Sequence, residues 1–135
     1  MEGKLSFTVA TPERLMIDEG VDEVMLPSVE GYMGVRPGHA PLLAKLDIGE
    51  ISYVAGGKTK YVATSGGFAE VLRTGVRVLA ETAEHAEEID VERAERSKVK
   101  AEEALKSEKE PDLFQRAEVR LKRAISRIQT HKHIG

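Results

Sequence analysis

From Glu50 to Thr82 the chain reads "EISYVAGGKTKYVATSGGFAEVLRTGVRVLAET", short runs of alternating apolar and polar residues parted by glycine, and from Glu84 onward no glycine occurs until Gly135. This change of period constrains the fold more than any other feature. Alternation puts successive side chains on opposite faces of a strand. Gly56-Gly57 separates Glu50–Ala55 from Lys58–Thr64, and a two-residue glycine loop supplies the positive φ that a tight hairpin needs. Ser65-Gly66-Gly67 and Thr74-Gly75 are read as the next two turns. "KLSFTVAT" adds a strand with Leu5, Phe7 and Val9 on one face, and "VDEVMLPS" adds another. Many short strands with no helical period among them predict an antiparallel β-sandwich or flattened barrel.

The second half follows a different rule. Asp90 can accept from the free amides of a helix opening at Val91. That helix is expected to run to Ser107, its inner face holding Val91, Ala94, Ala101 and Leu105, with Lys98 interrupting the stripe. "SEKEPD" breaks the pattern, and Pro111 with Asp112 can start a second helix. There Phe114, Ala117, Leu121, Ala124 and Ile128 recur at spacings of three and four, the seam of an antiparallel helical hairpin with small residues at its contacts. The apolar strips are thin, so the hairpin should dock on something or change state readily. The expected fold is α+β, mainly β in its N-terminal part: a sandwich over residues 1–86, then a two-helix hairpin over 87–135.

At 135 residues with 41% hydrophobic content, the chain has room for one ordinary domain, or a small domain with an appendage. No window approaches the eighteen apolar residues of a membrane span, and the start "MEGKLSFTVATPERL" shows no export signal. The absence of cysteine excludes disulfides and thiolate metal sites, and a cytosolic protein is the simplest expectation. The net charge of −3 conceals a division. Up to Ile89 there are 8 cationic against 14 anionic side chains; from Asp90 onward there are 12 against 9. An acidic front and a basic end suggest two units with different partners.

"GYMGVRPGHAPLL", Gly31 to Leu43, concentrates glycine and proline around His39. A phosphate loop needs its glycines to lead into a helix, but here "LLAKLDIGEISYV" continues as a strand pattern. A catalytic role for His39 lacks a serine or cysteine nearby in sequence. The stretch is therefore read as consecutive turns, glycine giving positive φ and proline stiffness, with His39 fixing a loop or meeting a partner subunit. His85, His131 and His133 are expected to bind no metal.

The same stretch, with "YVATSGGFAEV" and "AEEIDVERAE" downstream, resembles the epsilon subunit of the bacterial or plastid F-type ATP synthase. The resemblance extends from "LSFTVATPE" to "RLKRAISRI" and implies the same division into sandwich and hairpin. It implies a non-catalytic subunit on the central rotating stalk, with the gamma subunit and the membrane c-ring as partners of the sandwich. It also implies a peripheral location on the cytoplasmic face of the bacterial inner membrane, the membrane being met only through the c-ring. The resemblance further implies a hairpin that permits ATP hydrolysis when folded on the sandwich and inhibits it when extended into the alpha/beta catalytic head. Arg116, Arg120, Lys122, Arg123 and Arg127 are suitable for the acidic loops of the catalytic beta subunits. Such contacts are salt-sensitive and favour docking more than raw affinity.

"IDVERA" resembles the ATP-binding signature of some bacterial members, where bound ATP is a regulator. Asp90 and Arg93 match it, and Ile89 and Ala94 would frame the adenine. Glu84 matches a further acidic adenine-side residue, while Arg123 and Arg127 would reach the phosphates. Lys100 stands where binding members have arginine; it keeps the charge and loses the planar fork, which implies weaker binding. Asp90 as a helix cap is compatible with this role. No cofactor is required; ATP or MgATP is the regulatory ligand implied. Apart from the resemblance, the basic last helix could be a solvated face or could follow a nucleic-acid backbone. The acidic first half and only three Phe and three Tyr argue against nucleic acid.

Overall fold

The computed structural model describes residues 4–134. Eight strands come first: β1 Leu5–Ala10, β2 Leu15–Val21, β3 Glu23–Ser28, β4 Gly31–Val35, β5 Leu42–Ala55, β6 Lys58–Leu72, β7 Gly75–Ala80 and β8 Ala83–His85. A 3-10 turn, Ala86–Glu88, leads to helices α1 Val91–Ser107 and α2 Pro111–Lys132. The fold is the expected sandwich followed by a helical hairpin. Hydrogen bonds run in the order β2-β1-β7-β6-β5-β3-β4, with β8 on β6. Only the β1–β7 pair is parallel among the described strands.

β5 and β6 are long enough to serve both layers. Their ladder runs from Ala55↔Lys58 to Ile48↔Ser65, skips Asp47 and Gly66, and resumes at Leu46↔Gly67. Before the break β6 pairs with β8, and after it with β7. The two strands thus bend from one layer into the other, and the layers enclose Leu5, Phe7, Val9, Leu26, Ile51, Val62, Val71 and Val78. Phe7 meets Tyr53 in this core with ring centroids 5.0 Å apart.

Gly56 and Gly57 turn the chain as expected, at φ 59° and 76°. Ser65-Gly66-Gly67 does not turn it. These residues lie inside β6, where Gly66 and Gly67 at φ 111° and 129° form the bend between layers. A second correction concerns Gly31–Val35, which is strand β4, paired with β3 from Ser28↔Gly31 to Val24↔Val35. The turns are confined to residues 36–41. Alternation there is masked because Tyr32 and Gly34 face solvent while Val35 alone is fully buried.

Asp90 caps α1 through its carboxylate, which accepts from the Arg93 amide at 3.1 Å. Pro111 opens α2 in its first turn. In the helix–helix seam only the alanines are buried: Ala94, Ala101, Ala117 and Ala124. Val91, Lys98, Leu105, Leu121 and Ile128 are half-buried, and Phe114 is exposed at the hairpin tip. α2 buries a second, polar face holding Ser126 and Thr130 against β5.

Candidate functional site

Two features follow from how α2 sits on the sandwich: its mount, and a polar depression between the sheet end, the 3-10 turn and both helices. The mount is made of hydroxyls and charges. The Ser126 hydroxyl donates to the Gly49 carbonyl at 2.9 Å. Thr130 donates to the Glu50 carboxylate at 3.1 Å, and the His133 ring nitrogen Nε2 lies 3.1 Å from the same group. The His133 ring also stacks on Tyr61, centroids 3.6 Å apart and planes within 5°. Lys122 reaches Asp47 at 3.7 Å. Each hydroxyl bond is worth about 0.5–1.5 kcal/mol net, since water replaces the partner when the helix leaves. The α2 residues that the mount buries, Ser126 and Thr130, are polar.

The depression has a volume of about 340 Å³, within the range of small-ligand sites. It is lined by Glu84, Glu88, Asp90, Arg93, Ala94, Ser97 and Arg127. The sequence motif and the last strand are brought together here because β8 ends at His85 and the short turn carries the chain straight to the Asp90 cap. The Arg127 guanidinium Nε donates to Glu84 at 2.6 Å. Arg14, from the β1–β2 loop, donates from one terminal nitrogen to both Glu88 oxygens at 2.8 and 3.0 Å. That hydrogen bond is the main cause holding the Glu88 carboxyl below its ordinary range, and the His85 amide adds to it.

Of the residues expected at an ATP site, Glu84, Asp90, Arg93, Ala94 and Arg127 line this one depression. Ile89 is buried beside it as the residue ending the 3-10 turn. Arg123 lines an adjoining cleft with Glu84, Arg127, Ser65 and Thr82. Lys100 does not join them. It lines a separate depression with Glu92, Glu95, Arg96 and Val99, about 10 Å along the helix axis from Arg93. Glu88, Ser97 and Arg14 were not expected at the site. Glu88 gave a signal only as one of several acids before the helix, and Arg14 gave none, being 74 residues from its partner.

Among the residues expected at subunit interfaces, Arg116 and Arg120 line an exposed groove of about 570 Å³ on α2, with Arg123 beside them. Lys122 is turned instead toward Asp47. His39 Nδ1 lies 2.7 Å from the Ala40 carbonyl, and its amide donates to Arg36 across the turn, so the ring helps to fix its own loop. Among the described residues no three His, Cys, Asp or Glu gather into a metal site, and no helix is long and apolar enough to cross a membrane.

The outer face of the β6–β7–β1–β2 layer carries an apolar row. Phe68 pairs with Leu79, Leu79 with Ala10 and Ala10 with Leu15 across four neighbouring strands. Phe68, Leu79 and Leu15 remain 50%, 60% and 59% exposed. An aligned row of this kind marks an interaction surface more than scattered single residues do.

Two family models match successive parts of the chain. Residues 4–86 match the family model "ATP synthase, Delta/Epsilon chain, beta-sandwich domain", and residues 87–132 match "ATP synthase, Delta/Epsilon chain, long alpha-helix domain". The chain is 46% identical over 129 residues to the ATP synthase epsilon chain of Nitratidesulfovibrio vulgaris (strain DP4), covering 96% of each. It is 44% identical over 128 residues to that of Herpetosiphon aurantiacus, covering 95% of this chain and 94% of the relative. Among solved structures, a chain of the Euglena gracilis mitochondrial ATP synthase, in an OSCP/F1/c-ring complex, superposes with a TM-score of 0.80 at 23% identity. That match covers 99% of this chain and 82% of the other. A chain of the Tetrahymena thermophila mitochondrial ATP synthase central stalk and c-ring gives 0.68 at 12% identity, covering 95% and 96%.

Proposed function

The chain belongs to the ATP synthase delta/epsilon family, and we propose that it is a non-catalytic subunit of the rotor's central stalk whose helical hairpin regulates ATP hydrolysis. The sandwich meets gamma through the apolar row of Phe68, Leu79 and Leu15, and the c-ring elsewhere on its surface. On this reading the subunit works at the cytoplasmic face of a bacterial inner membrane without entering the bilayer. Both solved neighbours come from ATP synthase assemblies that include the c-ring, which supports a place on the rotor.

The observation that carries the regulatory part is the chemistry of the mount. Ser126, Thr130 and His133 hold α2 by polar contacts that water can replace, while Arg116 and Arg120 remain exposed for an acidic partner. A helix docked in this way can leave at modest cost and present a cationic face to the catalytic head.

The test adds the chain to a catalytic head with gamma from which this subunit is absent. Full chain is expected to bind and to lower ATP hydrolysis several-fold; the triple variant Arg116→Ala, Arg120→Ala, Lys122→Ala is expected to bind and inhibit far less. Binding without any change in hydrolysis would sink regulation, and no binding would sink the stalk assignment.

A second observation favours ATP as the regulator. Glu84, Asp90, Arg93, Ala94 and Arg127 share one depression that spans sandwich, α1 and α2. A nucleotide seated there bridges both helices and the sheet, so it stabilises the docked hairpin by mass action. ATP is bound and not turned over in this role. Amide NMR over residues 84–127 during an MgATP titration should show shifts in both helices, abolished by Asp90→Ala. No shifts at millimolar MgATP would reject the sensor.

A further inference from the structure

The groups lining the depression are not equally available to a ligand. Arg127 is engaged by Glu84, Glu88 by Arg14, and one Asp90 oxygen by the Arg93 amide. Two polar side chains remain without a hydrogen-bond partner among the described residues: the Arg93 guanidinium and the Ser97 hydroxyl. They lie four residues apart on α1, so they are neighbours on one helix face about 6 Å apart. Ser97 is half-buried. Lys100 continues roughly the same stripe but opens into the other depression.

We propose that Ser97 is a nucleotide-binding residue of this chain, its hydroxyl donating to a phosphate oxygen of the ligand held by Arg93, and that Lys100 lies outside the site. The inference rests on the ATP reading above and changes its residue set. The phosphate chain is the group involved because the unpaired Arg93 guanidinium is the neighbour of Ser97 on α1, and a second cation, Arg127, lines the same depression. Serine is also the smallest side chain that brings a hydroxyl close to the helix surface without filling the space.

Isothermal titration of the full chain with MgATP tests this directly. Ser97→Ala is expected to weaken binding about three- to tenfold, the effect of one hydrogen bond. Ser97→Thr should bind within about threefold of wild type, and Lys100→Ala within about twofold. Alanine favours the helix, so circular dichroism should show the Ser97→Ala chain folded. Unchanged affinity in Ser97→Ala would overturn the role of Ser97. A loss in Lys100→Ala equal to that in Ser97→Ala would overturn the exclusion of Lys100. A wild-type chain that binds no MgATP at millimolar concentration would overturn the sensor reading, and this inference with it.

Discussion

A side chain on Gly67 would collide with the Leu79 carbonyl oxygen and place its Cβ 2.8 Å from the Ala80 Cα. The residue also holds φ 129°, a conformation L side chains rarely adopt. Gly67→Ala is therefore expected to cost about 3 kcal/mol or more, by denaturant unfolding, through backbone strain at a special φ. Gly56→Ala, with open space around its Cβ, should cost only about 1 kcal/mol. Equal losses would refute the view that Gly67 serves close backbone approach while Gly56 serves turn geometry. Two titratable residues make further predictions. Burial in the core pushes the Tyr53 phenol up to about 12. Because the folded value is raised, the neutral form favours folding; that contribution is intact below the ordinary tyrosine range and is lost as pH rises through the folded value. Absorbance titration at 295 nm should show one phenol ionising only at strongly alkaline pH, together with loss of structure. Glu88 has the opposite sign. Its carboxyl is depressed by Arg14, so its contribution is present above the ordinary carboxylate range and is lost as pH falls through the folded value. Arg14→Ala should reduce the loss of stability between pH 7 and 3; an unchanged pH profile would refute the pairing in solution.

At the scale of elements, what the sequence made legible depended on whether a local rule or a distant partner governed each residue. The Gly56-Gly57 hairpin, the Asp90 cap and the Pro111 helix start follow from interactions within a few residues, and the pattern revealed them. Gly66-Gly67 was misread as a turn because glycine signals either a reversal or a close approach, and only the position of Leu79 decides between them. β4 escapes the pattern since two of its five residues are glycine and its pairing depends on β3. The second face of α2 was hidden for a chemical reason: it is built of serine and threonine, and an apolar period cannot reveal a polar contact. The candidate depression followed the same division. Asp90, Arg93 and Ala94 were visible as one motif, whereas Arg14 and Ser97 were not. The polar mount leads to a prediction about α2. Ser126→Ala and Thr130→Val each remove a bond worth about 1 kcal/mol, and hydrogen exchange in α2 should accelerate about five- to tenfold with the strands unaffected. Acceleration spread evenly over strands and helices would mean that sandwich and hairpin open as one unit.

At the scale of the whole molecule, the bend in β5 and β6 gives the sandwich two differently used outer faces. Glu50 and Tyr61, which hold the end of α2, point outward from the halves of these strands before the ladder breaks. Phe68 and Leu79 point outward from the layer formed after it. The hairpin can therefore leave its mount without disturbing the apolar row, and a partner can cover the row without touching the hairpin. This separation suits the proposed reading of a rotor subunit with a mobile regulatory arm, and it makes the two proposed roles separable by substitution. Phe68→Glu with Leu79→Lys should leave circular dichroism and the MgATP response of the helices unchanged, because both side chains are already half or more exposed and such sites tolerate polar residues within about 0.5 kcal/mol. The same double variant should lose binding to the head–gamma assembly by about tenfold or more, since burying two charged groups against an apolar partner surface is costly. Ser126→Ala should do the reverse, loosening the hairpin while retaining assembly. If the double variant assembles normally, the apolar row is not the rotor contact. If it also alters the helices' response, the two faces are coupled through the sheet and the bend does not insulate them.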